Sequence, residues 1–399
     1  MQSAYIIDAV RTPIGKYGGS LSSLRPDDLA ALVMKAIVSR NNSINNDEIE
    51  DVIFGAANQA GEDNRNVARM ALLLAGLPPK VGGVTVNRLC ASSLQAIMDA
   101  SRAIMLGEGE IYIAGGVESM SRAPYVMAKP KIAFDRNPQV YDTTIGWRFI
   151  NPQLSELYHP YSMGETAENI AKEWNISREE QDQFSLDSQK KYQQALKTEK
   201  FKEEIVPVTI TQERSETIID ADEHPRMSTI EKISSLKPAF IKEGTVTAAN
   251  SSGINDGASA LLLMSENACK KFEVKPMVKI KSMAIAGVNP DCMGVGPVPA
   301  TKKAIIRAGL DMKDIGLVEL NEAFAAQSIA CIQDLDINPE IVNVNGGAIA
   351  LGHPLGASGA RISTTLIHEM MKRPEVKYGL ATMCVGVGQG AAVIYEKCE

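Results

Sequence analysis

The pattern of hydrophobic and polar positions predicts alternating strands and helices in the first and last parts of the chain. Short apolar runs bounded by polar residues or glycine predict buried strands, and apolar residues spaced three and four apart predict helices. In the first part, the predicted strands are YIIDAV, DVIFGAA, VGGVTVN and EIYIAGG, and helices are predicted after Asp27-Asp28, near Val67 and near Cys90. In the last part, the predicted strands are VKIKSMAIAG, GLVEL and IVNVN, and the predicted helices are ATKKAIIRAGL and AFAAQSIACIQDL. Strands that alternate with helices indicate an α/β layered fold.

The alternation stops in the middle of the chain. From about Ser121 to Asn250 the sequence is richer in Pro, Lys, Glu, Tyr and His, which indicates an inserted domain. The predicted divisions are a first half over 1–120, an inserted domain over 121–250 that covers the ligand, the end of the first half over 251–271, and a second half over 272–399.

The second αβ stretch is predicted to repeat the first. The strand starting at Asp51 matches the strand starting at Leu317, Gly83 matches Ile341, and Tyr112 matches Leu380, all at similar offsets. An α/β protein offers some such matches by chance, but a duplication would bring equivalent strand ends to one pocket.

Composition and charge exclude several classes of protein. The chain has 399 residues, 45% hydrophobic and 22% charged, as in a globular protein with more than one core. Its net charge of -7 argues against general nucleic-acid binding. Because no apolar run spans a bilayer and six cysteines are scattered without metal-ligand spacing, we expect a soluble, cytoplasmic protein with reduced thiols, no membrane partner and no metal.

Cys90 is the first candidate for chemistry, because it lies between a predicted strand and a predicted helix. Free amide hydrogens and the dipole at the helix start are expected to lower the pKa of its thiol. A buried structural cysteine is the alternative.

Two glycine-rich segments supply further candidates. His353, in NGGAIALGHPLGASGAR, is predicted to lie in a shaped loop where an imidazole acts as a base at neutral pH. Cys384, in MCVGVGQG, directly follows a predicted strand. The glycines after it suggest a dinucleotide-binding motif, but too little chain follows for the helix, the further strand and the ribose-binding acid of such a unit. A turn that presents Cys384 and directs the Gly386 amide at an oxyanion fits better. Asn321, in ELNEAFAAQ, either caps a helix or polarises a thioester oxygen.

In order and spacing, the motifs together resemble the thiolase family over essentially the whole chain. They are RTPIG, NRLCASS, GGVESMSRAP, SMGETAENIA, GTVTAANSSGINDGA, GPVPA, ELNEAFA, GGAIALGHPLGASGAR and CVGVGQG. The resemblance implies a duplicated fold with two βαβαβαββ halves in five αβαβα layers and an inserted loop domain. It also implies an acyltransferase that reversibly cleaves 3-oxoacyl-CoA with coenzyme A, by ping-pong kinetics through an acyl-cysteine.

The resemblance also implies the roles of the candidate residues. Cys90 would be the nucleophile, His353 its base, and Cys384 the acid/base at the α-carbon of acetyl-CoA. A water on Asn321 and His353 would hold the enolate oxygen, and the amides of Cys90 and Gly386 would hold the tetrahedral oxyanion. The coenzyme A site would contain Met163, Arg226, Ala248, Ser252, Met293, Ala323 and Phe324. Coenzyme A is then a substrate, with no permanently bound cofactor, and a homodimer or homotetramer is expected.

Some residues bear on the substrate. Ser162 stands where short-chain biosynthetic members have histidine, which argues against acetoacetyl-CoA as the main substrate. Ala249 stands where glycine is common, a second departure from the family pattern. TTIGWRFINP and SMGETAEN resemble the β-ketoadipyl-CoA and broad-range subgroup. A dicarboxylic chain would need a cation, for which Arg148 and Arg122 are candidates, unless these are ordinary solvated arginines.

Two other functions are considered. A condensing ketoacyl synthase on the same fold would pair its cysteine with two histidines, whereas the last loop here offers Cys384. An inactive structural subunit is the non-enzymatic alternative, and it is disfavoured because all four catalytic side chains are present.

Overall fold

The computed structural model describes residues 2–212 and 215–398. The first half of the chain contains β1 (Ala4–Arg11), β2 (Gly15–Lys16), α1 (Pro26–Arg40), β3 (Asp51–Gly55), α2 (Val67–Leu74), β4 (Gly82–Val86), α3 (Ser92–Leu106) and β5 (Ile111–Ser119). The next segment contains β6 (Tyr125–Met127), β7 (Val140–Asp142), α4 (Pro152–Leu157), α5 (Met163–Glu173), α6 (Arg178–Lys197), β8 (Val208–Gln212), β9 (Ser215–Ile219) and α7 (Ile230–Ser234). The rest contains β10 (Asn255–Ser265), α8 (Glu266–Lys271), β11 (Val278–Gly287), α9 (Pro297–Ala308), β12 (Ile315–Leu320), α10 (Ala325–Asp334), α11 (Ala348–Leu351), α12 (Ser358–Lys372), β13 (Tyr378–Val385) and β14 (Gln389–Lys397).

The order of the strands shows the duplication. The large sheet runs β12-β13-β14-β11-β1-β10-β5-β3-β4, and β1 meets β11 at only Tyr5↔Lys279 and Ile6↔Val278. On one side of this junction, β3 pairs in parallel with β4 and β5, whereas β10 is antiparallel to β5 and β1. On the other side, β12 pairs in parallel with β13, and β14 is antiparallel to β13 and β11. The two halves therefore repeat one order about the junction, as the matched segments predict.

The helices form three layers around the two half-sheets. Apolar residues of α1 and α2 pack on the outer face of the first half-sheet. Residues of α3 and α12 form a central core with strands of both halves. Residues of α9 and α10 cover the outer face of the second half-sheet. Because helices cover both faces of the sheet, every residue of β5 and β10 is buried. The layers alternate in the expected order αβαβα.

One predicted strand is wrong. IVNVN forms a single bridge, Val318↔Val342, after a short 3-10 helix. The reason is Asn343, whose φ of 45° leaves the extended region. Its side-chain amide accepts from the N–H of Leu320 at 2.9 Å and donates to the carbonyl of Leu320 at 2.8 Å, replacing ladder hydrogen bonds with side-chain ones.

The segment between β5 and β10 differs from both halves. Its strands form two separate hairpins, β6-β7 and β8-β9. Capping boxes at Ser162/Glu165 and Ser177/Glu180 begin α5 and α6, and both helices pack against α10 of the second half. The exact domain boundaries stay a prediction. Among the described residues, none of the helices has the length and apolar content needed to cross a membrane.

Candidate active site

Cys90 lies in a tight turn between β4 and α3. Leu89 adopts a φ of 46°, and the Ser92 hydroxyl accepts from the N–H of Arg88 at 2.9 Å and donates to the carbonyl of Leu89 at 2.6 Å. These bonds fix the turn that carries the thiol. The residue as a whole is half-buried, and its sulfur accepts a hydrogen bond from the N–H of Gly386.

The expected low pKa of Cys90 is wrong in this structure. Desolvation raises the pKa of its thiol to about 11, the nearby Glu118 carboxylate adds to that, and the Gly386 amide opposes it. The backbone amide of Cys90 itself also opposes the rise, but the two amides together do not compensate for the loss of water. The resting nucleophile is a neutral thiol, which needs a base in order to react.

Cys384 lies at the end of β13, opposite Gly390 on β14. It is buried, and its pKa is raised well above the usual range by desolvation and by the neighbouring Cys90 and Cys331. The two candidate sulfurs are thus close enough to influence each other's ionisation. A buried neutral thiol is suited to donate a proton to a carbanion.

His353 is held by one hydrogen bond at its backbone and one at its ring. Its backbone N–H donates to Asn255 Oδ1 at 2.9 Å, and its Nδ1 lies 2.6 Å from Ser358 Oγ. Because Ser358 donates its own hydrogen to the carbonyl of Pro354 at 2.9 Å, it accepts from Nδ1–H, which leaves the lone pair on Nε2. Desolvation, with a contribution from Arg361, lowers the pKa of His353 to about 3, so the imidazole is neutral and is available as a base.

Asn321 lies beside the basic nitrogen. Its Nδ2 is 3.4 Å from His353 Nε2, and its buried Oδ1 has no hydrogen-bond partner among the described residues. Its backbone N–H donates to the carbonyl of Thr382, two residues before Cys384. Asn321 does not act as a helix N-cap, because Phe324 occupies that position in α10. An orphaned buried carbonyl beside an imidazole fits a site for an ordered water.

Close contacts bring the segments that carry Cys90 and His353 together. The glycine-rich segment 345–361 that carries His353, called here the histidine loop, continues into the first turn of α12. The N–H of Ala360 in that turn donates to Ser93 Oγ at 2.9 Å, so this segment rests on the first turn of α3, next to Cys90. A Cβ on Gly116 would lie 2.2 Å from the carbonyl oxygen of Gly356, so only glycine permits this approach. Among the described residues, no hydrogen bond joins the imidazole to either sulfur, although such bonds often tighten only when substrate binds.

The predicted coenzyme A residues form two groups. Five of them pack around or beside the second cysteine: Met163, Met293, Ala323 and Phe324 share an apolar cluster with Cys384, and the N–H of Ser252 donates to the carbonyl of Ala323 at 2.9 Å. The remaining two meet at the surface, where Arg226 Nη2 donates to the carbonyl of Ala248 at 3.0 Å. The first group suits an apolar arm, and the exposed guanidinium suits a phosphate or a base.

The sequence interpretation missed three supporting residues. Glu118 accepts from the N–H groups of Ala57, Asn58 and Gly356 at 3.0, 3.2 and 2.7 Å, and desolvation raises its pKa to about 7. It therefore ties the first half to the histidine loop. The other two missed residues are Asn255 and Ser358, which hold the backbone and the ring of His353. All three residues lie in the motifs named above, but a motif does not show which distant group each side chain contacts.

The part of the chain described by the structure contains no group of three His, Cys, Asp or Glu side chains able to hold a metal ion.

Comparison with known proteins identifies the class to which this fold and site belong. The model of the thiolase N-terminal domain matches residues 4–267, and that of the thiolase C-terminal domain matches residues 274–397. The chain belongs to the thiolase family. The predicted fold and the prediction of an acyltransferase that cleaves 3-oxoacyl-CoA thioesters are therefore confirmed.

Individual relatives are similar over their full length. The chain is 54% identical to the beta-ketoadipyl-CoA thiolase of Pseudomonas aeruginosa, covering 99% of both proteins. It is 52% identical to the 3-oxoadipyl-CoA/3-oxo-5,6-dehydrosuberyl-CoA thiolase of Escherichia coli K12, covering 100% of both. The crystal structure of Bacillus anthracis acetyl-CoA acetyltransferase superposes with a TM-score of 0.94 at 42% identity, over 100% of this chain and 99% of that one.

Proposed function

We propose that this thiolase cleaves 3-oxoadipyl-CoA with coenzyme A into succinyl-CoA and acetyl-CoA. The observation that carries the proposal is the 54% identity to a protein named beta-ketoadipyl-CoA thiolase, against 46% to the acetyl-CoA acetyltransferase of Cupriavidus necator. Ser162, in place of the histidine of short-chain members, supports the same choice. Acetoacetyl-CoA is the alternative substrate.

The first half-reaction forms the acyl-enzyme. Cys90 Sγ attacks the 3-keto carbon while its proton passes to His353 Nε2. The amides of Cys90 and Gly386 hold the tetrahedral oxyanion, which is supported by the hydrogen bond from Gly386 to the Cys90 sulfur. The bond between C2 and C3 then breaks, and Cys384 protonates the acetyl-CoA carbanion at C2, whose enolate oxygen is stabilised by a water held by Asn321 and by His353.

The second half-reaction restores the resting protonation states of both cysteines and of His353. A second coenzyme A gives its thiol proton to the Cys384 thiolate and attacks the thioester carbonyl on Cys90. Succinyl-CoA leaves, and protonated His353 returns its proton to the Cys90 thiolate. The raised pKa values of both thiols and the lowered pKa of His353 make the neutral forms the resting state, so no net charge is stored between turnovers.

Coenzyme A would lie along the two groups of residues described above. Its pantetheine arm would contact Met163, Met293 and Phe324, and pass Ser252 and Ala248, and its nucleotide end would lie by Arg226. Coenzyme A is a substrate in this proposal, and no permanently bound cofactor is required.

The proposal includes a homo-oligomer in the cytoplasm. An unpaired strand edge supports assembly: β4 ends the large sheet, and Val84 on it is 40% exposed. Leu73 and Leu74 are also exposed, on helix α2, which packs against β4. Both a dimer and a tetramer are compatible with this edge. Six free cysteines support a reducing compartment.

The division of labour between the cysteines is tested by mass spectrometry after incubation with acetyl-CoA. We expect the wild-type protein to gain an acetyl group on Cys90 and Cys90→Ser to gain none at that position. Cys384→Ala should still load the acetyl group, because coenzyme A can leave as a thiolate without being protonated. It should fail to condense that group with a second acetyl-CoA, because no base removes the proton from C2. Equal loss of acylation in both variants would contradict the assigned roles.

A further inference from the structure

One buried carboxylate beside the active site has no part in the chemistry proposed above. Glu322 directly follows Asn321, just after the end of β12, and it is 1% exposed. Burial of an ionisable group costs free energy unless partners stabilise it. The partners of Glu322 therefore show what its carboxylate contributes.

Three hydrogen-bond donors from separate parts of the chain converge on the Glu322 carboxylate. Its Oε1 accepts from Asn343 Nδ2 at 2.7 Å, and its Oε2 accepts from the hydroxyl of Ser188 at 2.8 Å and from the N–H of Ile349 at 3.1 Å. Desolvation raises the pKa of Glu322, and these three hydrogen bonds oppose the rise. Ser188 lies on α6 of the inserted segment, and Ile349 lies on α11 in the histidine loop. The carboxylate therefore joins the end of β12 to both.

The Ser188 hydroxyl extends this contact within the histidine loop. It donates to Glu322 and accepts from the N–H of Gly347 at 3.0 Å. A Cβ on Gly347 would lie 2.1 Å from the carboxyl carbon of Glu322, so the backbone of the loop packs directly on the carboxylate. Two N–H groups at the start of α11 are thus held by the Ser188–Glu322 pair.

Asn321 lies next to this anchor in a tight turn. Its carbonyl accepts from the N–H of Ala323 at 3.0 Å, so Glu322 is the middle residue of a three-residue turn. The N–H of Asn321 donates to the carbonyl of Thr382 at 3.0 Å, and its Nδ2 lies 3.4 Å from His353 Nε2. Because adjacent residues share a rigid peptide plane, a rotation of the backbone at Glu322 would move the Asn321 side chain away from the imidazole.

We propose that Glu322 is a positioning residue for the enolate site: its carboxylate, held by Ser188 and the histidine loop, keeps the Asn321 amide beside His353. The inference rests on the proposed function, in which a water on Asn321 and His353 binds the enolate oxygen. It adds that the inserted segment, through Ser188, takes part in forming that site.

His353 has anchors of its own. Asn255 holds its backbone and Ser358 holds its ring. Acylation of the nucleophile by acetyl-CoA uses the imidazole and the oxyanion site of backbone amides, but no enolate forms in that step. Loss of the Glu322 carboxylate should therefore slow the step that releases an enolate and spare acylation by acetyl-CoA.

Glu322→Gln keeps the shape of the side chain but cannot accept on both sides. With its amide nitrogen toward either Asn343 or Ile349, a glutamine places a donor against a donor. Asn343 cannot relieve the first clash by turning its amide over, because that amide already pairs with the N–H and the carbonyl of Leu320. Either orientation leaves a buried N–H without an acceptor.

The test compares two acetyl donors that give the same acetyl-Cys90 product, measured by rapid quench and mass spectrometry. Acetoacetyl-CoA releases the enolate of acetyl-CoA, whereas acetyl-CoA releases only coenzyme A. Glu322→Gln should slow single-turnover acetylation by acetoacetyl-CoA roughly tenfold to a hundredfold, the effect of a buried donor left unsatisfied. Acetylation by acetyl-CoA should stay within about twofold. An equal fall with both donors would overturn the inference in favour of a general structural role, and so would unchanged rates.

Ser188→Ala is the milder variant, and it keeps the test valid if Glu322→Gln does not fold. It should slow acetylation by acetoacetyl-CoA about threefold to tenfold, as expected for one lost hydrogen bond, and spare acetylation by acetyl-CoA. Ser185→Ala is the matched control, because Ser185 is buried on the same helix and its hydroxyl donates to the carbonyl of Gln181 within that helix. It should change neither rate. If Ser188→Ala behaved like this control, Ser188 and the carboxylate it binds would have no positioning role.

Asn321→Ala separates the positioning role from the proposed function. If Ser188 and Glu322 act through Asn321, Ser188→Ala should cause no further loss in the Asn321→Ala background, and a full additional loss would contradict the inference. An Asn321→Ala variant with the wild-type rate from acetoacetyl-CoA would overturn the proposed enolate site itself. A slow Asn321→Ala variant, together with normal rates for Glu322→Gln and Ser188→Ala, would overturn only the positioning role.

Discussion

The sulfur of Cys90 is subject to two opposing influences on its pKa. The Gly386 amide stabilises the thiolate, whereas desolvation and the Glu118 carboxylate destabilise it, and the net result is a pKa of about 11. Reactivity then depends on His353, which must take the proton as the carbon–sulfur bond forms. The cysteine therefore depends on neighbours that come from the other half of the chain.

The neutrality of His353 leads to a prediction about pH. An imidazole with the ordinary pKa of about 6.5 would lose roughly tenfold of its basic form between pH 7 and pH 5.5. Because the pKa of His353 is lowered to about 3, its basic form persists over that whole range. We expect the single-turnover rate of acylation by acetyl-CoA to change less than about twofold, measured by rapid quench and mass spectrometry. A tenfold fall, with the fold intact by circular dichroism, would contradict a neutral resting imidazole.

Ser358 is expected to set the tautomer of that imidazole. In Ser358→Ala, Nδ1–H loses its acceptor at 2.6 Å, so the ring is free to rotate or to place its proton on Nε2. We expect kcat/KM to fall about tenfold, the effect of losing roughly one hydrogen bond.

The matched control is Ser101→Ala. Ser101 is also buried on a helix, but its hydroxyl only donates to the carbonyl of Ile97 in the same helix. Its kinetics should be unchanged. If both variants kept wild-type kcat/KM, Ser358 would have no positioning role.

At the scale of elements, strands and helices with a strong apolar pattern were predicted correctly. YIIDAV corresponds to β1, and the helix predicted from Val67 ends at Leu74. IVNVN failed because the Asn343 side chain takes the hydrogen bonds of Leu320, a pairing between residues 23 apart in sequence. Periodicity records which side chains are buried and carries no information about such exchanges.

The histidine loop shows what glycine contributes at this scale. Gly352 adopts a φ of 109°, and a Cβ there would lie 2.5 Å from the side chain of Asn255. That same side chain accepts the N–H of His353. The glycine-rich sequence correctly predicted a shaped loop, but the partner that requires its shape lies about a hundred residues away.

At the scale of the whole molecule, one buried cation joins the inserted segment to the first half. Arg11 on β1 is fully buried, with Nε 2.6 Å from Glu204 and Nη1 2.6 Å from Asp222. Its guanidinium also lies over the ring of Phe201 at 5.2 Å. Because both carboxylates are buried, neither finds water as a substitute partner.

Replacement of this cation should therefore be costly. Arg11→Met leaves two buried carboxylates unpaired, and we expect a loss of about 3–5 kcal/mol, seen as a marked fall in Tm and as faster proteolysis between residues 200 and 225. Arg102→Met is the control, because its ion pair with Asp99 is partly exposed to water and contributes at most about 1 kcal/mol. Equal melting temperatures for the two variants would show that Arg11 does not hold the segment.

The sequence by itself determined the layered α/β class, the duplication, the family and the identity of the candidate side chains. Each of these follows from local periodicity or from motifs a few residues long. Only the tertiary structure decided the ionisation of the cysteines, the tautomer of His353 and the loss of the IVNVN strand. Those properties depend on desolvation and on hydrogen bonds between residues far apart in the chain, and such contacts exist only once the two halves and the inserted segment have packed together.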